Sequence, residues 1–367
     1  MTVGNQIGPR GQLASMPSRP YQASEETARG TGAHIAVLDG WRGAAILLVL
    51  FAHFIGRPGI NTGPLGVELF FVLSGRLMAE ILFVRRTPFD QFVVRRFSRI
   101  YPALLVAVVL TALGSVWLPQ LAVTPIDVIA SLTFTMKYLR AIGGDFGSPL
   151  DHVWSLCVEE HAYVIMLGIA VLHRRAGWDP ARVLAVLASG CMLNGIISVV
   201  VFDQDYYGAY WRSDVRAASI LCSASLYLYA RAGRGLFVDH AGYWPIAAGI
   251  FGGLTHVYGV PVPITYTVGT IALAYSVVFI ESAHGVVRSV LTSRPMVAVG
   301  AWSYSIYLYQ QPFASLEGRV NTLLLLASAI VAALISYHLL ERPVRRAINN
   351  WFAARAREKA RGGRLAA

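Results

Sequence analysis

Charged residues are scarce in this sequence. Asp, Glu, Lys and Arg make up 14% of its 367 residues, about half the share usual in soluble proteins. Hydrophobic residues make up 55%, and the mean hydropathy is +0.53. This composition excludes a soluble enzyme of this length. It predicts an all-α, polytopic membrane protein with about ten helices of ~20 residues.

Lysine and cysteine are also nearly absent. Two lysines and three cysteines occur. Cys157, Cys191 and Cys222 lie in apolar stretches, and their odd number argues against a disulfide framework or a metal site. Residues 1–34 are polar and lack the apolar run of a cleavable signal peptide. We therefore expect free thiols, no bound metal and a disordered cytoplasmic N-terminal arm over 1–34.

The basic residues flank the apolar runs. The net charge is +11, but the arginines form no aromatic-interleaved face of the kind that binds nucleic acid. With the N-terminus inside, the inner loops and tails hold 23 Lys and Arg residues and the outer loops five, so the positive-inside rule places both termini in the cytoplasm. We expect a multi-pass protein of a bacterial cytoplasmic (inner) membrane. Its membrane domain covers 35–347 and its basic cytoplasmic tail 348–367. The predicted spans are 37–56, 64–84, 97–118, 151–172, 182–202, 215–230, 243–260, 264–281, 296–314 and 320–340.

The first predicted span begins near Arg42 and ends near His53. Eleven helical steps place these side chains on about the same face, ~16 Å apart. Ionisable groups inside a membrane are candidates for function. The alternatives are that Arg42 is an anchor at the membrane surface and that His53 bonds a neighbouring helix.

The second span carries Glu68, Ser74, Arg76 and Glu80. Glu68 is expected near the depth of His53, and Ser74 lies deeper. Arg76 and Glu80 are four residues apart on a helix, so we predict that they pair. A structural role is the more natural interpretation of that pair.

Arg96 and Arg99 share a helix face where the third span enters the membrane. Two guanidinium groups at a helix N-terminus suit phosphate binding. Simple positive-inside anchoring is the alternative. In the fourth span, Glu159 and Glu160 are adjacent and point ~100° apart, so one can face a cavity while the other pairs with a neighbouring helix. A structural polar cluster is the alternative.

Six stretches in order resemble the acyltransferase 3 family of bacterial membrane acyltransferases, across residues 35–347. They are LDGWRG at 38–43 followed by His53, GVELFFVLSG at 66–75, RRFSRIYP at 95–102, HVWSLCVEE at 152–160, SYSIYL at 303–308 and ERP at 341–343. The sequence departs from the family pattern at three positions. Glu68 replaces the usual Asp, Gln310 stands where many relatives carry His, and Arg76 follows the Ser-Gly pair.

The resemblance implies ten helices and transfer of an acyl group, typically acetyl from acetyl-CoA, to a hydroxyl of a carbohydrate or glycolipid. His53 would be the general base or an acyl carrier, and Arg42, Arg96 and Arg99 would bind the donor. From the chemistry, Glu68 or Glu160 is a candidate to orient His53. The Ser74 hydroxyl, the Trp154 indole or a tyrosine is a candidate to stabilise an oxyanion, and the sequence does not choose among them.

The expected partners are acyl-CoA, the acceptor and membrane lipids. No nucleic acid is expected, and a homo-oligomer is compatible with the sequence. The competing hypothesis is a transporter or flippase of a lipid-linked sugar, which would use the same intramembrane charges as a substrate path. A membrane sensor or assembly scaffold without chemistry at His53 is the weakest hypothesis.

Overall fold

The computed structural model describes residues 20–56, 59–136, 138, 147–205, 208, 210–233, 242–282 and 285–365. Within these residues the fold is all-α, as predicted, and contains no β-strand longer than an isolated bridge. The lysine and arginine at 137 and 140 lie outside the described residues, as do residues 1–19 of the expected N-terminal arm. The first described helix begins at Pro20 and so overlaps that arm.

The helices of the described residues are numbered here in chain order. They are α1 (Pro20–Phe54), α2 (Thr62–Ala79, extended by a π-turn at Glu80–Val84), α3 (Phe89–Gly114), α4 (Pro125–Leu132), α5 (Trp154–Ala176), α6 (Pro180–Val200), α7 (Ser213–Arg231), α8 (Trp244–Leu254), α9 (Val262–Phe279, with a π-turn at Thr265–Gly269), α10 (Gly285–Leu291), α11 (Arg294–Ala314), α12 (Thr322–Ser336, extended by a π-turn at Tyr337–Glu341) and α13 (Arg342–Leu365).

Each predicted span overlaps one of these helices. Six helical segments are long and apolar enough to cross a membrane: Ala36–Phe54, Phe89–Gly114, Asp151–Ala176, Pro180–Val200, Val262–Phe279 and Thr322–Glu358. Helix α8 is apolar but shorter, because it ends at Leu254. The short helix α4 lies between the third and fourth predicted spans. The number of crossings and the side of each terminus stay predictions.

Local sequence signals set several helix ends. Helix α5 ends at Gly177, whose φ of 69° suits glycine. Helix α6 then starts with Pro180 in its first turn, and the Asp179 side chain accepts from the backbone N–H of Ala181 at 3.0 Å. The short connection makes α5 and α6 neighbours.

Glycines allow the helices that carry the charged residues to touch backbone to backbone. A Cβ at Gly300 of α11 would lie 1.7 Å from the carbonyl oxygen of Asp39 in α1. A Cβ at Gly75 of α2 would lie 2.0 Å from the carbonyl oxygen of Ile220 in α7. No side chain fits at either crossing, so glycine sets the spacing of both helix pairs.

Candidate active site

Two of the cavities lined by the described residues lie at the Arg42 and His53 ends of the apolar stretch of α1. The first, which we call the His53 cavity, has a volume of about 650 Å³ and is lined at the end of α1 by Val49, Ala52 and His53. The second, the arginine cavity, has a volume of about 70 Å³ and is lined by Arg42, Arg96 and Arg99. Because α1 is one unbroken helix, Arg42 and His53 are separated by a rise of ~16 Å, and each faces a different cavity.

The His53 cavity contains several buried polar side chains. His53 is half-buried in the last turn of α1. His152 and Gln310 line the same cavity. Gln310 is 0% exposed, and neither atom of its amide group finds a hydrogen-bond partner among the described residues. The cavity therefore holds an imidazole and further polar groups out of bulk water.

Aromatic rings form one wall of the His53 cavity. The ring of Trp154 lies 4.6 Å from that of Tyr210 and 5.2 Å from that of Trp211, measured between centroids. The opposite rim is fixed by backbone hydrogen bonds between two connections, because the N–H of Asn61 donates to the carbonyl of His256 at 2.8 Å. Aromatic walls with a few placed polar groups are typical of sites for small organic ligands.

Carboxylates already pair with two of the three guanidinium groups of the arginine cavity. Arg42 donates to Asp39 at 2.7 Å. Arg96 donates to Glu160 at 2.8 Å and to Glu159 at 3.0 Å. Ion pairing fixes these two guanidinium groups in place and offsets part of the charge that the sequence assigned to phosphate binding.

Glu159 is the carboxylate that lines the arginine cavity. Its oxygens accept from the hydroxyl of Ser74 at 3.1 Å and from that of Tyr163 at 2.9 Å. The guanidinium of Arg96 also lies over the Tyr163 ring at 4.2 Å. Glu160, the residue favoured from sequence, bonds Arg96 from the outer face of the helix. Ser74 thus contacts Glu159, and both Glu159 and Glu160 form ion pairs with Arg96.

Arg99 has no ion pair among the described residues, yet it lies close to other cationic groups. The guanidinium groups of Arg42, Arg96 and Arg345 and the carboxylate of Glu341 are within electrostatic range. Like charges that converge on a cavity raise its affinity for an anion. Arg99 is therefore the side chain best placed to meet an anionic ligand.

Glu68 lies in a separate polar cluster between α2, α7 and α9. Its side chain is 0% exposed and forms a salt bridge with Arg216, which is 1% exposed. Its other oxygen accepts from Ser219 at 2.6 Å and from Thr270 at 2.5 Å. The guanidinium of Arg216 lies 3.8 Å from the centre of the Tyr266 ring. The carboxylate is thus engaged by three donors within the cluster, and its role in orienting His53 stays a prediction.

Arg76 and Glu80 do not form the pair expected from their spacing. Arg76 donates to Glu281 at 2.9 Å. Glu80 accepts from Tyr227 and from Arg85, the latter at 3.0 Å. The predicted pairing is wrong, because Arg76 and Glu80 each lie closer to other partners than to the residue one helical turn away.

Tyr307 and Arg216 were not singled out from sequence. Tyr307 lines both cavities. Its sequence signal was its position in the SYSIYL stretch at 303–308, which gave it no particular role. Arg216 was a lone arginine inside a predicted span, and that isolation is the signal that it needs a buried acid. No cluster of three metal-ligating side chains occurs among the residues that the structure describes.

Comparison with known proteins gives a consistent family match. A family model described as "Acyltransferase domain" matches residues 35–340. Peptidoglycan O-acetyltransferase OatA of Listeria monocytogenes is 24% identical over 363 residues, covering 88% of this chain and 57% of the relative. O-acetyltransferase OatA of Staphylococcus aureus is 25% identical over 348 residues, covering 84% of this chain and 57% of the relative.

The chain spans a little more than half the length of these curated relatives. No solved structure gives a significant match.

Proposed function

Since this chain belongs to the acyltransferase family whose model matches residues 35–340, we propose that it transfers an acyl group, acetyl above all, from a coenzyme A thioester to a hydroxyl of a cell-surface carbohydrate or glycolipid. The observation that carries the proposal is the placement of two cavities along one helix. The end near Arg42 is lined by arginines, and the other end contains His53. By the charge distribution, the donor approaches from the cytoplasmic side and the acceptor from the other.

Arg99 is proposed to bind the phosphates of the donor, assisted by Arg42 and Arg96. Arg99 lacks an ion pair in the described chain, whereas Glu159 and Glu160 hold Arg96 in position. We expect Arg99→Gln to raise KM for the donor about 10-fold or more, in line with loss of a charge-assisted hydrogen bond. Arg288→Gln, an equal charge change at an exposed helix, is the control. Equal KM values in both variants would place the phosphates elsewhere.

His53 is proposed to take the proton of the acceptor hydroxyl. The acceptor oxygen then bonds to the acyl carbon, the carbon–sulfur bond breaks, and the proton passes to the departing thiolate. This step requires the neutral imidazole of His53, which lines the cavity. Alternatively, His53 carries the acyl group itself between donor and acceptor. Mass spectrometry of protein loaded with donor and no acceptor distinguishes the two, because only a carrier gains an acyl group on His53.

The decisive experiment is His53→Ala in purified protein. Loss of a general base costs about 10²–10⁴-fold in rate, and loss of an acyl carrier abolishes transfer. His173→Ala is the control, since that histidine bonds the backbone of Trp178 and lines neither cavity. Transfer at the unmodified rate by a folded His53→Ala protein would refute the assignment.

A glycan acceptor is supported by the wall of the His53 cavity. Trp154 and Trp211 present ring faces on which the C–H face of a sugar can pack, and polar groups on other sides can meet its hydroxyls. The relatives with this domain are named as O-acetyltransferases, one of them of peptidoglycan. Comparing surface glycans by mass spectrometry in cells with and without the gene identifies the acceptor.

A transporter of a lipid-linked sugar is the competing function. It would consume no acyl donor. Purified protein given acetyl-CoA therefore separates the two functions, because release of free thiol that depends on His53 supports transfer and its absence supports transport.

A further inference from the structure

Tyr307 stands between the two cavities. Its buried side chain lines the His53 cavity and the arginine cavity alike. Val67 also lines both cavities, and the consecutive residues Trp154 and Ser155 line one each, Trp154 the first and Ser155 the second. The boundary between the cavities is therefore about one side chain thick at this point.

Hydrogen bonds hold the Tyr307 ring across this boundary. Its hydroxyl lies 2.7 Å from the hydroxyl of Ser155 and 2.7 Å from the carbonyl oxygen of His152. The Ser155 hydroxyl also lies 3.4 Å from that carbonyl. Edge contacts with Phe70 at 6.3 Å and with His152 at 5.3 Å, between ring centroids, support the ring from two sides.

Both hydroxyl hydrogens of this group are used within it. Tyr307 donates to the carbonyl of His152, so the 2.7 Å contact between the two hydroxyls takes the hydrogen of Ser155. No hydroxyl hydrogen of the pair remains to stabilise an oxyanion. The geometry therefore fits a latch that holds the ring in place better than an oxyanion hole.

We propose that Tyr307 is the specificity-determining residue that closes the passage between the cavities, and that the latch with Ser155 and the His152 carbonyl keeps it closed until substrates are bound. The consequence for chemistry rests on the proposed function. With the passage closed, water from the His53 side does not reach a thioester in the arginine cavity. The acyl group then goes to the acceptor rather than to water.

Accessibility of a reporter thiol tests the closure without any acyl chemistry. The three native cysteines are replaced by alanine, and Leu77→Cys places a thiol in the wall of the arginine cavity. A charged, membrane-impermeant methanethiosulfonate is then added from the His53 side. Minor conformational states are commonly about 0.1–10% populated, so labelling is expected to rise by about 10- to 1,000-fold when the open state becomes dominant in Tyr307→Ala.

Tyr309→Ala is the matched control. It removes a buried tyrosine ring from the same helix, but that residue lines neither cavity, so labelling should stay at the parental rate. Tyr307→Phe keeps the ring and removes the latch, and an intermediate rate is expected. This variant also serves if Tyr307→Ala fails to fold. Equal rates in all variants, or rapid labelling of the parent from the His53 side, would overturn the proposal.

The rate of donor hydrolysis without acceptor gives the functional readout. Tyr307→Ala should raise it relative to transfer, and Tyr309→Ala should leave the ratio unchanged. If the parent protein neither hydrolyses nor transfers acyl groups, the proposed function fails, while the labelling experiment still decides whether Tyr307 closes the passage.

Discussion

Replacing Arg216 by methionine should destabilise the protein more than almost any other single substitution. The guanidinium is 1% exposed and forms a salt bridge with Glu68, which is 0% exposed. Arg216→Met leaves that carboxylate buried, and its remaining donors in the described part of the chain are the hydroxyls of Ser219 and Thr270. Removing one partner of a buried ion pair costs about 3–5 kcal/mol. Loss of the contact with the Tyr266 ring adds up to about 2 kcal/mol.

Glu68→Gln should cost a similar amount, because it leaves the guanidinium buried without a counter-charge. The double variant Glu68→Gln/Arg216→Met removes both charges, and the Gln oxygen still accepts from Ser219 and Thr270. We expect it to cost less than either single change. At roughly 2 °C per kcal/mol in a chain of this size, Glu68→Gln lowers the apparent Tm of purified protein by about 6–10 °C, and Arg216→Met lowers it by about 6–14 °C.

The reasoning would be refuted if the effects of the two substitutions simply add within about 0.5 kcal/mol, the margin expected for independent sites. The same double variant tests the role that the sequence suggested for Glu68. If the cluster only holds α2, α7 and α9 together, acyl transfer in the folded double variant should stay within about 10-fold of the parent. A loss of about 10²-fold or more in the rate of acyl transfer, typical of a lost acid–base group, would support a catalytic role for Glu68.

Three further predictions concern packing and the arginine cavity. Gly300→Ala places a Cβ 1.7 Å from the carbonyl oxygen of Asp39, so we expect it to destabilise the protein by about 1–3 kcal/mol or more through overpacking. Gly190→Ala on α6 meets no atom within 4 Å, so the same thermal denaturation assay should find it neutral or stabilising. Gln310→Leu should raise the apparent Tm, because it removes a buried amide without a partner in the described chain, a group worth about 1–3 kcal/mol; an unchanged or lower Tm would contradict this. Glu159→Gln should lower kcat and raise the donor KM together, because the substitution weakens both the Ser74 contact and the hold on Arg96; an effect on neither constant would show that the carboxylate is dispensable.

The helices were predictable because hydropathy and charge are properties of contiguous sequence. The segment that ends at His53 is helical as expected, since its apolar run is uninterrupted. Helix α8 is shorter than expected because the sequence after Leu254 forms a connection whose backbone bonds the α1–α2 loop. The sequence shows that the residues of this predicted span are apolar, but it does not show such tertiary contacts.

Side-chain pairing was predictable only where the residues lie within one helical turn or belong to an obvious cluster. Adjacent Glu159 and Glu160 suggested that one faces a cavity and the other a neighbouring helix. The structure assigns the cavity to Glu159. Arg76 joins Glu281, which is 205 positions away, and no local rule connects them. Long-range pairs depend on how the helices are arranged, and a single sequence taken alone contains little information about that arrangement.

The glycine crossings limit how this protein can move. At Gly300 the backbone of α11 lies against that of α1, and at Gly75 the backbone of α2 lies against that of α7, so sliding either pair would bring the side chain of a neighbouring residue against the facing backbone. Domain-scale rearrangements on the microsecond to millisecond scale are thus disfavoured at the helices that bear Arg42 and Ser74. Any opening between the cavities would instead require rotation of a side chain. For the buried Tyr307 ring, that rotation requires its hydrogen bonds to break. Turnover would then be paced by one aromatic side chain rather than by rocking of the helices.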